Sequence, residues 1–243
     1  MKNKIWALVI LAVCIPFLNG CISYSENMTL NKNFSGEASI RMAIPNMLMG
    51  MMGESPSTML QDMEESFKST EKIKLTDSKT YNEMDSQVFA FDIEFDSIEN
   101  LNAVRQGDKA FPFIGEVSLV KGKDGKVTLR RVVSDPDNQE INSEMRSSLA
   151  EYKWIYELKT PYKILEANTA PSYIDHKTNT VKWEVPLLSI FIEPQEMTVT
   201  LETFNPIIYI YLIGITVIIL LAVFGVTVFK RKKQTGVVTE VVE

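Results

Sequence analysis

Few side chains in this sequence are equipped for covalent or metal chemistry. There are two cysteines, Cys14 and Cys21, and one histidine, His176. Cys21 follows the small residue Gly20, so its thiol is open to modification, whereas Cys14 lies inside an uncharged apolar run. His176 sits between Asp175 and Lys177 in a polar turn-like stretch, which suits a solvated loop histidine. With one histidine and no second thiol outside the leading segment, a Cys–His dyad and a histidine-based metal site are excluded. Acidic neighbours such as Glu64-Glu65 and Asp135/Asp137 lack the periodic spacing of a calcium loop, and no glycine-rich phosphate loop is present. No catalytic residue, metal or cofactor is therefore expected, and the chain is read as a non-enzyme.

The compositional outlier is methionine. Met42, Met47, Met49, Met51, Met52, Met59 and Met63 are seven of the twelve methionines in the chain. The run Asn46-Met47-Leu48-Met49-Gly50-Met51-Met52-Gly53 carries no charge. Three readings compete for it. The residues could fill a core. They could form a flexible apolar lip, with Met47, Met49, Met51 and Met52 contacting lipid or a partner through unbranched, polarizable side chains. Thioether coordination of Cu(I) is the third, and no histidine or cysteine supports it. Proline and glycines flanking an apolar loop in a domain tethered close to a bilayer add weight to the lip reading.

Two apolar segments bracket the elements that carry these residues. Lys2 and Lys4 precede an uncharged stretch, Ile5 to Leu18, that is too short to span a bilayer core of about 30 Å, so residues 1–20 are expected to be a signal peptide. Leu18-Asn19-Gly20-Cys21 resembles the lipobox of bacterial lipoproteins, which implies lipid attachment at Cys21; Asn19 departs from the usual small or β-branched residue there. Near the other end, Ile207 to Phe229 is uncharged, has Tyr209 and Tyr211 near its start, and is followed by Lys230-Arg231-Lys232-Lys233. This pattern predicts a transmembrane helix over 207–229 with the basic cluster inside, leaving 230–243 as a short cytoplasmic tail. The predicted placement is the plasma membrane, with residues 21–206 facing outward.

Charge narrows the partners. The chain carries a net −6; setting aside +2 from Lys2 and Lys4, +4 from the basic cluster and −2 from Glu240 and Glu243 leaves −10 on the segment between the anchors. Such a segment does not suit nucleic acid, and anionic headgroups repel it except where an apolar element reaches in.

The segment itself reads as one α+β domain with a mainly antiparallel sheet and two or three helices, leaving room for a lipid-binding groove or cavity. Alternating apolar residues predict strands over Ile22–Leu30, Glu37–Ile44 and Gln87–Phe95, and a shorter one near Lys72–Thr76. Ser55-Pro56 predicts a helix start, with Met59, Leu60, Met63 and Phe67 on one face. Asp96-Ser97-Ile98-Glu99 predicts a second, short helix through Val104, burying Ile98, Leu101 and Val104, and Asp137–Tyr152 a third. Glu116–Val120 and Lys126–Val133 predict a hairpin about Asp124-Gly125, and Lys153–Leu158, Tyr162–Glu166, Asn179–Val185 and Glu196–Glu202 four closing strands.

Several of these pieces together resemble the LppM-type family of bacterial lipoproteins. A cysteine leads straight into a strand pair turning at Ser35-Gly36-Glu37, and an aromatic strand, Phe89 to Phe95, runs into Asp96-Ser97-Ile98-Glu99-Asn100-Leu101. Later come Pro161-Tyr162-Lys163-Ile164, Ala167-Asn168 and Asn179-Thr180-Val181-Lys182-Trp183, and a single C-terminal apolar segment with basic residues completes the pattern. The resemblance implies an extracytoplasmic domain with a groove or cavity suited to lipid or glycolipid, and it supplies no catalytic residues. The function expected is binding of lipid, glycolipid or another apolar ligand at the cell envelope; the alternative is a non-enzymatic interaction or scaffold module engaging envelope proteins.

Overall fold

In the computed structural model the described residues are 22–104, 112–122, 125–134, 152–203 and 211–224. They fall in two compact units, one formed by the described residues of 1–122 and 126–202 and the other by those of 123–125 and 203–243.

Within the first unit, strand alternation sets the architecture. β1 (Ile22–Leu30) and β2 (Gly36–Pro45) pair in antiparallel register with Leu30 opposite Gly36, and β4 (Ser86–Phe95) pairs with β2 along its whole length. The β1–β2 turn needs its glycine: a Cβ on Gly36 would stand 2.2 Å from the Thr29 carbonyl oxygen. In β4, Phe89, Phe91, Ile93 and Phe95 all turn inward and are buried, while Ala90, Asp92 and Glu94 stay at least partly exposed. β3 (Ile73–Glu83) lines the outer edge of β4 and runs well past the predicted end at Thr76. The extension was illegible because Thr76 to Glu83 has no apolar alternation; edge pairing, with a bulge between Leu75 and Asp77, holds it extended.

On the other side of β1 lie β7 (Lys153–Lys159), β10 (Thr180–Pro186) and the short β9 (Ile174–Asp175), giving a seven-stranded sheet in the order β3-β4-β2-β1-β7-β10-β9. The β1–β7 pair is parallel, and every other pair is antiparallel. A second sheet of four strands, β5 (Glu116–Lys121), β6 (Lys126–Val133), β11 (Gln195–Glu202) and β8 (Lys163–Ala167), runs in the order β5-β6-β11-β8. The expectation of a mainly antiparallel α+β fold agrees with this pairing, but the strands divide between two sheets. One hydrophobic cluster draws on both, with Phe91, Trp154 and Tyr156 from the first and Leu129, Val199 and Leu201 from the second.

Helices pack on this framework. α1 (Asn46–Met52) follows β2 directly, and α2 (Pro56–Lys68) starts as predicted, with the Ser55 hydroxyl accepting the Thr58 backbone N–H at 3.2 Å. α2 buries Met59 and Phe67, with Leu60 and Met63 partly buried against the same core. A 3-10 turn over Ile98–Asn100 and α3 (Leu101–Val104) bury Ile98, Leu101 and Val104, although Ser97 makes no side-chain cap. α4 (Leu187–Ile192) links β10 to β11. In the second unit, residues 211–224 form helix α5, whose residues are all exposed. The described residues thus hold five α-helices rather than two or three. Among the described residues no helix is long and apolar enough to cross a membrane; the expected span over 207–229 is described only at 211–224. The helix expected over 137–152 and the signal segment 1–20 lie outside the described residues.

Candidate functional site

Two inward strand positions break the apolar rule. In β1 the side chains of Tyr24, Glu26, Met28 and Leu30 face the core, and in β6 those of Val127, Leu129, Arg131 and Val133 do. Glu26 and Arg131 are both essentially sealed from solvent, at 1% and 0% exposure. They meet as a bidentate pair: Arg131 Nη1 donates to Glu26 Oε1 at 2.8 Å and Nη2 to Oε2 at 2.7 Å, while Arg131 Nε donates to the Ile114 carbonyl at 2.6 Å. The Tyr24 hydroxyl adds a 2.7 Å hydrogen bond to Glu26 Oε2. The guanidinium carbon lies 4.4 Å from the Tyr156 ring centroid and 5.2 Å from that of Trp154, so the charge is enclosed by aromatic faces. Tyr24 stacks on Trp154 at 5.4 Å and Tyr156 on Trp183 at the same spacing. The pair therefore bolts the first sheet to the second.

The electrostatics lock these protons in place. Burial alone would weaken the Arg131 charge, but the Glu26 carboxylate and its hydrogen bonds outweigh this and hold the guanidinium well above its usual range. Burial, reinforced by the Glu26 charge, pushes the Tyr24 phenol well up, and burial does the same to Tyr156. A guanidinium matched to a carboxylate and shut away from water keeps its proton. Sequence reading missed this pair. Its signal was a lone charge of opposite sign at an inward slot in each of two otherwise regular strands.

Of the four methionines expected to act together, the structure separates Met47 from Met49. The segment Asn46–Met52 is a helix, not a loop, because β2 ends at Pro45 and Asn46 N–H is caught by the Asp85 carbonyl at 2.8 Å. Met47 projects from it at 64% exposure, whereas Met49 is 7% exposed and belongs to the core cluster. Met49 is thus a packing residue, a correction to its expected contact role. Met51 and Met52 fall in the same helix, and their side chains lie outside the described residues, as does Cys21. His176 is exposed in the turn after β9, where the Asp175 carboxylate accepts the Lys177 backbone N–H at 2.8 Å; that hydrogen bond and the one from the Thr178 hydroxyl hold the carboxyl below the usual range. Glu64 bonds Lys68 and the Ser78 hydroxyl, and Asp135 and Asp137 lie outside the described residues. Among the described residues no group of three or more His, Cys, Asp or Glu is placed to hold a metal ion.

Two open clefts are lined by mostly polar residue types. One, of about 460 Å³, lies at the β1–β2 turn and is lined by Asn31, Ser35, Glu37, Glu71, Lys72 and Asp96 among others. The other is lined by Glu157, Tyr173, Asp175 and Lys182 with neighbouring polar residues. Neither is lined by residues 45–53.

Two motifs of the family resemblance meet in space. Asn168 Oδ1 accepts the Trp183 indole N–H at 3.0 Å and the Thr198 backbone N–H at 2.7 Å, and its Nδ2 donates to the Glu196 carbonyl at 2.8 Å. Asn168 thereby ties β10 of the first sheet to β11 of the second. Asn179 adopts φ 51°, a left-handed turn conformation that asparagine tolerates, just before β10. These residues of the resemblance do structural work.

No family model matches the chain, and no curated protein matches it. Among solved structures, the NMR structure of the folded domain of LppM from Mycobacterium tuberculosis is similar at a TM-score of 0.43 and 11% identity, covering 78% of this chain and 94% of that one. This is a weak likeness, and it concerns the fold alone.

Proposed function

We propose that this chain is a non-enzymatic, membrane-anchored bacterial lipoprotein, lipidated at Cys21 and held in the plasma membrane by 207–229, whose outward-facing domain binds a lipid, glycolipid or other apolar ligand. The observation that carries the reading is Met47, a large flexible apolar side chain left 64% exposed on a short helix directly after a core strand. Gly50, on the same helix, has open space where a side chain would stand. The sequestered Glu26–Arg131 pair gives no support to proton-transfer chemistry in the core. A second reading, an interaction or scaffold module for envelope proteins, is favoured by the polar lining of the cleft at the β1–β2 turn. Mass spectrometry of the purified domain separates the two: lipid recovered near stoichiometrically, and lost on Met47→Ser, supports ligand binding. A domain that carries no lipid points to the scaffold.

A further inference from the structure

Exposure divides the methionines into two groups. Among the described residues Met28, Met42, Met49, Met59 and Met197 are buried, each at 7% exposure or less. Met47 and Met84 stand at 64% and 79%. A methionine side chain has no charge and only a weak acceptor to hold it in water, so packing is the ordinary reason for one. Neither Met47 nor Met84 is packed in the core.

Met84 is out of place for a second reason. Glu83 stands opposite Ser86 at the end of β3 and the start of β4, so Met84 and Asp85 form a two-residue hairpin turn. Met84 takes φ 51°, in the left-handed region. That conformation in a hairpin turn favours glycine, asparagine or aspartate, because a larger side chain crowds the backbone there. Neither burial nor backbone preference accounts for a methionine, which leaves the chemistry of its sulfur.

The two thioethers belong to one patch. The Asn46 N–H donates to the Asp85 carbonyl at 2.8 Å. Met47 follows Asn46 and Met84 precedes Asp85, so the two methionines lie on backbones in direct contact. Pro45 also stands opposite Ser86, which sets the start of α1 beside the turn.

We propose that Met47 and Met84 are the sites at which hydrogen peroxide oxidises the folded domain, and that the Met47 sulfoxide releases the bound lipid. The release rests on the ligand-binding reading above, in which Met47 is the apolar contact. In the reaction a sulfur lone pair attacks one peroxide oxygen. The S–O bond forms as the O–O bond breaks, and the departing hydroxide takes the proton left on the transferred oxygen to become water. The thioether is oxidised to a sulfoxide and the peroxide is reduced, with no further co-reactant. A sulfoxide is polar and accepts hydrogen bonds, so the apolar contact of Met47 becomes a hydrated one. The core sulfurs are closed to the same reagent. Met28, 2% exposed, accepts the Tyr156 hydroxyl at 3.4 Å, and Met197, 1% exposed, belongs to the core cluster. The reaction therefore reaches the patch without the fold having to open.

The test treats the full chain, purified in detergent with the lipid that accompanies it, with increasing hydrogen peroxide. Peptide mass mapping reads the oxygen gained at each methionine, and native mass spectrometry reads the lipid retained. Met47 and Met84 are expected to oxidise several-fold faster than Met28, Met49 and Met197, with lipid lost in step with the Met47 sulfoxide. Met84→Asn, which suits the left-handed turn, is expected to release lipid over the same range of peroxide. Rates at Met47 or Met84 no higher than at Met28 overturn the sites. Selective oxidation with lipid retained overturns the release, and so does release that vanishes in Met84→Asn. A chain that carries no lipid before treatment overturns the ligand reading and the release with it, while the rates still decide the two sites.

Discussion

Replacing either member of the Glu26–Arg131 pair leaves the other charge buried without its counter-ion. In Arg131→Met, Glu26 keeps the hydrogen bond from the Tyr24 hydroxyl but loses both from the guanidinium; in Glu26→Met, Arg131 keeps the Ile114 carbonyl and its aromatic faces. Orphaning one partner of a buried pair costs about 3–5 kcal/mol. A domain of this size is stable by about 5–15 kcal/mol, so each single variant is expected to lose about a third of the total. Independent effects would sum to about 6–10 kcal/mol in the double variant. If the cost arises from the orphaned charge, Glu26→Met/Arg131→Met is instead expected to be no less stable than either single variant, because the two apolar replacements leave no uncompensated charge. Urea denaturation of residues 22–203, monitored by fluorescence, measures the cycle. Additivity within about 0.5 kcal/mol would refute the reasoning, since it would mean that the two charges do not depend on each other.

Asn168→Ala is expected to cost about 2–4 kcal/mol by removing three hydrogen bonds, two of them to backbone, and Asn168→Asp to cost less because the acceptor for Trp183 and Thr198 survives; denaturation midpoints check the order. Gly36→Ala should lower the thermal midpoint measurably, as its Cβ meets the Thr29 carbonyl and must push β1 and β2 apart, a loss of about 1–3 kcal/mol that calorimetry reads. Phenol absorbance at 295 nm should show that Tyr24→Phe and Tyr156→Phe do not change the signal gained up to pH about 10, since burial holds both phenols protonated above the usual phenol range. Their raised values contribute stability that is complete below pH about 10 and is lost as pH rises beyond it, so alkaline unfolding should start there. At the acid side, hydrogen bonds from Lys153 and from Lys68 with Ser78 hold Glu184 and Glu64 below the usual carboxylate range, so their contribution is present above that range and is lost as pH falls through the lower folded values. Glu184→Gln is expected to flatten that acid limb, which pH-dependent denaturation would show.

Local chemistry was legible where a short stretch settles its own conformation. Ser55-Pro56 predicts the start of α2 because the cap and the proline ring act within one turn. The aromatic alternation of Phe89 to Phe95 predicts β4 because one face must be buried. Asn46 to Gly53 was misread because its apolar residues have no period of two, and the glycines and Pro45 look like loop punctuation; the contact of Asn46 with Asp85, far along the chain, selects the helix. Met49 and Met47 are two residues apart, and only the direction of the core relative to α1 decides that one is packed and the other bare.

From sequence alone came the expected anchors, the acidic charge of the segment between them, the α+β class and most strand positions, because each depends on composition or on periodicity within about ten residues. Tertiary structure decided the rest. It divided the strands between two sheets, set β7 parallel to β1 and buried Glu26 against Arg131. Each of these depends on partners 35 or more residues apart in sequence, and no local pattern encodes which inward-facing residues will meet. Glu26 and Arg131, 105 residues apart, are each an irregularity in a strand, and the sheet-on-sheet packing turns them into one buried pair.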